Sequence, residues 1–282
     1  VDNKNTISDL IISGSCTASG GSYNKVISNG SGKINGDIYC NEFKISGSTV
    51  VNGSVESNGQ LKMNGSGKIK GNAKCDTLKT SGSSKFIGNV SCNEGTVGGS
   101  CNIEGEIKAN VFEISGGCTV LKDASIEKLR VSGGCNFHEN VTSKEIVVNG
   151  GIKVSNNVES EIFKASGSFE IGQMLNADEV FIKLGGFCRV KEIGCSKIEV
   201  NKGFGKSIIR EFISIFSKSL DMELEVETIE ADYIYLENTK AKVVRGENVI
   251  IGRNCEIDLI EYKNEYKCDE QSVVNKVEKV NC

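Results

Sequence analysis

The sequence predicts an all-β fold: a parallel β-solenoid of about 17 residues per lap, with three short strands in each lap. Three observations predict it. A glycine marker recurs at a near-constant interval, and apolar residues sit at fixed offsets from it. The chain also holds 33 glycines and no proline or tryptophan, with only 6% aromatic residues. So few large rings cannot fill a wide core, which calls for a thin one extended lengthwise. The missing proline fits the same reading, because proline removes a backbone donor that an interior strand needs.

The marker glycines are Gly14, Gly30, Gly47, Gly65, Gly82, Gly99, Gly116, Gly133, Gly150, Gly167 and Gly185, spaced by 16 to 18 residues. One lap is the stretch NGSGKINGDIYCNEFKISG. Counting from Gly30, inward residues fall at +4 (Ile34), +8 (Ile38), +10 (Cys40), +13 (Phe43) and +15 (Ile45). Later laps repeat the pattern, as in Phe112/Ile114, Leu129/Val131 and Val180/Ile182. A spacing of two is the strand period with one face buried. Ser-Gly, Asn and Asp at the corners suit tight bends. Helical repeats need units of ~33–34 residues rich in helix formers, and the glycine-punctuated lap excludes them. With strands stacked ~4.8 Å apart, about ten laps would make a rod on the order of 50 Å.

The pattern divides the chain as follows. Residues 1–204 read as a solenoid of about eleven laps. Residues 205–221 read as an amphipathic helix insertion, with Ile208, Phe212, Phe216 and Leu220 recurring at i+4. Further laps are expected over 222–262, then a polar C-terminal tail over 263–282. The helix is expected to pack on the solenoid. A basic amphipathic helix can also lie on a membrane or dock a neighbouring subunit.

A net charge of −4 supplies no basic patch for nucleic acid. No stretch reaches the ~18–20 apolar residues of a membrane span, and VDNKNTISDL has no signal-peptide core. The expectation is therefore synthesis in the cytosol. The sole histidine, His138, removes most acid–base and triad arrangements. No P-loop or calcium-roll motif occurs, and no CxxC pair supports zinc. No catalytic residue, cofactor or metal is expected.

The twelve cysteines sort by offset. Cys16, Cys101, Cys118 and Cys135 stand at +2, and Cys188 joins them. Cys40, Cys75 and Cys92 stand at +10, with Cys195 beside them, and Cys255 also faces inward. These ten read as small hydrophobes. The ladder of Cys101, Cys118 and Cys135 is expected to stay reduced, since parallel Cβ vectors make poor disulfides. Cys268 and Cys282 lie in the expected tail, with no core position to explain them. They are the candidates for intermolecular disulfides.

The units FKISGS, NGSGKIKGNAKCDTLKTSGS and IEADYIYLENTKAKVVRGENVIIG resemble the bactofilin-like, polymer-forming proteins of bacteria, from about residue 13 to 262. That resemblance implies a right-handed solenoid that stacks end to end without nucleotide, with itself as partner. The helix insertion and the cysteine content depart from the family pattern. Abundant cysteine without an export signal is similar to bacterial spore coat and exosporium proteins, which are made in the mother-cell cytosol. The leading expectation is thus a non-enzymatic structural protein that assembles into a disulfide-linked layer on the spore surface, beside other layer proteins. The alternative is a cytoplasmic bactofilin-type scaffold. A carbohydrate-active β-helix enzyme is the third reading, and it requires converging carboxylates.

Overall fold

The structure, a computed structural model, describes residues 8–202 and 222–280. The chain falls into two compact units, Val1–Glu139 and Asn140–Cys282. Every regular element among the described residues is a strand, and the ladders within each unit are parallel. The helix expected over 205–221 lies outside the described residues.

In the first unit a regular lap consists of a four-residue strand and an eight-residue strand, such as Ser100–Ile103 and Ile107–Ile114. The longer strand buries Ile107, Ala109, Phe112 and Ile114, so that an exposed Asn110 and a half-buried Val111 stand side by side between the two buried pairs. The inward phase therefore slips once in mid-strand. The third corner, expected as a break between strands, is a bend inside one of them, and three faces are made from two strands.

Stacking turns each offset into a column. At +4, Ile34, Val51, Ile69, Phe86, Ile103, Val120 and Phe137 lie in register, and all are essentially inaccessible to solvent. At +13 the column runs Phe43, Leu61, Leu78, Gly95, Phe112, Leu129. Gly95 has a plain reason here: a Cβ on it would lie 2.2 Å from Cδ2 of Phe112, whose ring fills that space. Burying a large apolar side chain contributes ~1.5–3 kcal/mol, and one column receives that term in almost every lap.

The marker glycines serve a different purpose from the one expected. Among the described residues, positive φ angles occur at Gly21, Gly36, Asn238 and Asn254, not at the markers. A Cβ on Gly82 would instead lie 2.1 Å from the carbonyl oxygen of Gly65, and the same holds for Gly99 over Gly82 and Gly116 over Gly99. The markers are glycine because consecutive corners touch backbone to backbone.

The second unit begins with the same lap, as in Gly151–Val154 and Val158–Ala165. Longer strands follow: Ser168–Leu184, Cys188–Lys202, Leu224–Leu236, Thr239–Ile251 and Glu256–Cys268. The expected polar tail over 263–282 is not a tail in its described part. Strand Glu256–Cys268 runs through its first six residues, and Val273–Lys279 pairs in parallel with 256–262. Val274 and Val277 extend the columns of Ile257 and Ile260. Lysine and glutamate at the outward positions hid that alternation in the sequence.

Candidate assembly surfaces and the cysteine columns

Of the ten cysteines expected to face inward, the structure buries eight: Cys40, Cys75, Cys92, Cys101, Cys118, Cys135, Cys188 and Cys255. Cys101, Cys118 and Cys135 stack in register at +2, and Cys75 and Cys92 do so at +10. Eleven cysteines are described, and all of them are free thiols. Burial pushes the thiols of Cys40, Cys188 and Cys255 up to about 11, and those of Cys75 and Cys92 to about 12. Cys101 is raised well above the ordinary thiol range by its hydrogen bond with Cys118 and then by burial. For Cys118, the hydrogen bond with Cys101 lowers the value, but the one with Cys135 and burial outweigh it. The thiolate is the nucleophile, so these columns are chemically inert packing.

The other two stand in inward columns without being fully buried. Cys195 is half-buried, because its column neighbours Ala177 and Ala231 are too small to cover it. Its thiol is still pushed up to about 12, mainly by desolvation and then by the carboxylate of Asp232. Cys16 is exposed. It occupies the inward +2 column, paired with Gly32 and then Thr49. Among the described residues, however, its strand Ser15–Ser22 pairs on one side only, and Gly32 offers no side chain to cover it.

Cys268 is exposed as expected, but for another reason. It is the last described member of an inward column, following Val200, Leu236 and Ile251 in register. It is bare because no further lap covers it among the described residues. Cys282 and the helix residues Ile208, Phe212, Phe216 and Leu220 lie outside the described residues.

Among the described residues, both exposed cysteines thus stand on laps paired on one side only. At the first, among the described residues, strand Leu10–Ile12 pairs only with Lys25–Ser28, and strand Ser15–Ser22 only with Ser31–Ile45. At the other, among the described residues, Val273–Lys279 pairs only with Glu256–Cys268, and Val277 is 39% exposed. Strand edges paired on one side are a template for another strand, and of the two laps the last leaves more apolar surface bare, with Val273 61% exposed as well, while Ile12 on the first is 1% exposed.

The sequence reading missed a groove of about 770 Å³ on the second unit. One wall is a column of alternating charge: Glu170, Arg189, Glu225, Lys240, Glu256. The other wall holds Lys191, Glu227, Lys242 and Asp258. Adjacent laps neutralise one another: Arg189 pairs with Glu225 at 2.7 Å and Lys242 with Glu227 at 2.8 Å, while Asn275 Nδ2 donates to Asp258 at 3.0 Å. The carboxyl of Glu227 is held below its ordinary value by Lys242, the opposite of what a general acid requires. The alternation was hard to see because successive members are 19, 36, 15 and 16 residues apart, a departure from the 17-residue lap. Among the described residues, no group of three or more His, Cys, Asp or Glu is placed to hold a metal ion, and His138 is exposed.

A family model described as "Bactofilin: Polymer-forming cytoskeletal" matches residues 3–91 and again 48–123. The overlap of the two matches is what a repeat produces. Among curated proteins, the chain is 41% identical over 106 residues to the uncharacterized protein YhbE of Bacillus subtilis (strain 168), covering 37% of this chain and 42% of the relative. It is 37% identical over 108 residues to the uncharacterized protein YhbF of the same strain, covering 38% of this chain and 42% of the relative. The chain therefore spans less than half the length of these relatives. No solved structure matches it. Over residues 3–123 the chain is bactofilin-like.

Proposed function

We propose that this chain is a non-enzymatic structural protein that self-associates through its open laps into a polymer of the cytoskeletal scaffold kind. The match of residues 3–123 to a polymer-forming family carries the reading. Physical chemistry supports it. A solenoid lap cannot bury its own inward triangle, so a stack ends in sticky laps unless they are capped. The bare Cys16 and Val277 lie on laps of this kind. No nucleotide motif accompanies the laps, so assembly proceeds by strand pairing and apolar burial alone.

The scaffold reading is favoured over the spore-surface layer, since the family match speaks for the first and the cysteine content alone spoke for the second. Eight of the cysteines are accounted for by core packing, which removes most of that argument. The carbohydrate-enzyme reading is disfavoured because Glu225 and Glu227 in the groove are ion-paired. Electron microscopy and sedimentation of the purified, reduced chain without nucleotide test the proposal. Filaments or sheets are expected, and a monodisperse monomer at high micromolar concentration would sink it.

A further inference from the structure

We infer that the charged face of the second unit is a docking surface for the same face of a second copy of this chain, laid against it antiparallel. This side contact adds to the self-association through open laps and does not depend on it.

The signs on the two walls of the groove point to such a partner. The two outward residues of one lap share a sign, and the sign reverses at the next lap. Arg189 and Lys191 are both basic, and Glu225 and Glu227 on the following lap are both acidic. Lys240 and Lys242 are basic again, and Glu256 and Asp258 acidic. All of them stand at outward positions, flanking the inward Val190, Val226, Ala241 and Ile257. Alternation down a column stabilises the stack by pairing neighbouring laps. Equal signs within a lap do not, since residues two apart on one strand lie about 7 Å apart and repel. The face is therefore banded, with alternating stripes about 4.8 Å apart, in a way that the fold itself does not call for.

Four alternating bands are their own complement when reversed. A second copy laid face to face and antiparallel sets Arg189 of one copy against Glu256 of the other, and Lys191 against Asp258. In the two middle bands Glu225 meets Lys240, and Glu227 meets Lys242. Because the contact is isologous, each pairing occurs twice. Two parallel copies in the same register would set like bands together throughout, which repels. A parallel copy displaced by one lap matches signs, but that contact does not close on itself and leaves Lys191 away from Asp258.

Pairing inside one copy singles out the antiparallel arrangement. Arg189 reaches Glu225 at 2.7 Å, Lys242 reaches Glu227 at 2.8 Å and Lys240 reaches Glu223 at 3.1 Å. Among the described residues, Lys191 and Glu256 have no ion-pair partner, and Asp258 has only the amide of Asn275. The antiparallel contact joins Lys191 to Asp258 and gives Glu256 an arginine. At the rim, Glu170 is already held by Lys153 at 3.0 Å and falls opposite the uncharged Val273, so no charge is stranded. Exposed ion pairs are individually weak and are screened by salt. One face therefore makes a weak, salt-sensitive pair of copies, and copies already joined end to end would engage many such faces at once.

A carbodiimide, which condenses a lysine ammonium and a carboxylate into an amide, tests the contact on the full reduced chain at about 0.02 M and about 0.5 M salt. Within one copy Lys191 and Asp258 stand three laps apart, about 14 Å, so a direct link between them joins two copies. That linked peptide is expected in the dimer band at low salt and should fall at least about tenfold at high salt. Lys191→Asp and Asp258→Lys should each lose the dimer, because each sets like charges together. An equimolar mixture of the two variants should restore it, which a folding defect could not do. A dimer band without the Lys191–Asp258 link, or no dimer band at low salt, overturns the inference, as does a mixture that pairs no better than either variant alone. Electron micrographs of the same samples score end-to-end polymers separately, so loss of the polymers counts against the scaffold reading and loss of the link against this one.

Discussion

At Gly82 the nearest obstacle to a methyl group is the backbone of the preceding corner, 2.1 Å away. A flexible side chain could yield, but a carbonyl held by its own ladder cannot. Gly82→Ala is therefore expected to cost about 1–3 kcal/mol, the range for overpacking and strain, measured as a lower denaturant midpoint. Thr80 predicts the opposite. Its Oγ1 is buried with no hydrogen-bond partner, and the +15 column around it holds Met63 and Val97. Thr80→Val removes an orphaned polar atom at nearly constant volume and should stabilise the fold by about 1 kcal/mol. Thiol labelling reads the same scale: in the native chain a maleimide should modify Cys16 and Cys268 rapidly. The eight buried thiols should react only on unfolding. Rapid native labelling of Cys101 or Cys118 would contradict the columns.

At the scale of the element, the charged ladder beside the groove looks more important than it is. Arg189 and Glu225 are both partly exposed, and surface ion pairs contribute ~0–1 kcal/mol. Arg189→Ala should shift stability by less than about 1 kcal/mol, whereas Phe112→Ala, which empties a column, should cost about 3–5 kcal/mol. Thermal or denaturant melts of the two variants side by side would show whether the columns or the charges hold the laps. The same contrast explains what the sequence made legible. Apolar residues at +4, +8 and +13 are read directly, because a buried column tolerates only apolar or small side chains and the lap repeats them. The corner at +11 and +12 was legible from its Asn, Asp and Glu residues, but not that the chain turns there inside one strand instead of between two, because the step leaves the ladder unbroken. The strand Val273–Lys279 was missed because a lap covered on one side needs few apolar residues to specify it. Cys268 was misplaced for the same reason: a position next to an open edge looks like a tail.

At the scale of the whole molecule, the buried thiols couple folding to pH. A thiol whose folded value lies above its unfolded value holds its proton more tightly when folded. Its stabilisation is then complete below the unfolded value and is lost as pH rises through the folded one. Here the ordinary value is 9.0, and the folded values are about 11 for Cys40, Cys188 and Cys255 and about 12 for Cys75, Cys92 and Cys195. On this account the melting temperature should be level from neutral pH to about 9 and fall between about 9 and 12. The fall should be shallower in a Cys75→Ala/Cys92→Ala double variant. An equal slope in both would remove the thiols as its cause.

The register between laps also sets how such a chain can change length. Over residues 66–137 the ladders pair residues 17 apart, as in Cys101 with Cys118 and Cys118 with Cys135. Excising residues 99–115 would join Gly98 to Gly116 with every column still aligned, leaving a shorter stack of the same cross-section. Excising one residue there would turn each inward side chain of the following strand toward solvent. Within these uniform laps the smaller edit is the more damaging one, and where laps of 16 or 18 residues do occur a register shift in the strand absorbs the odd residue.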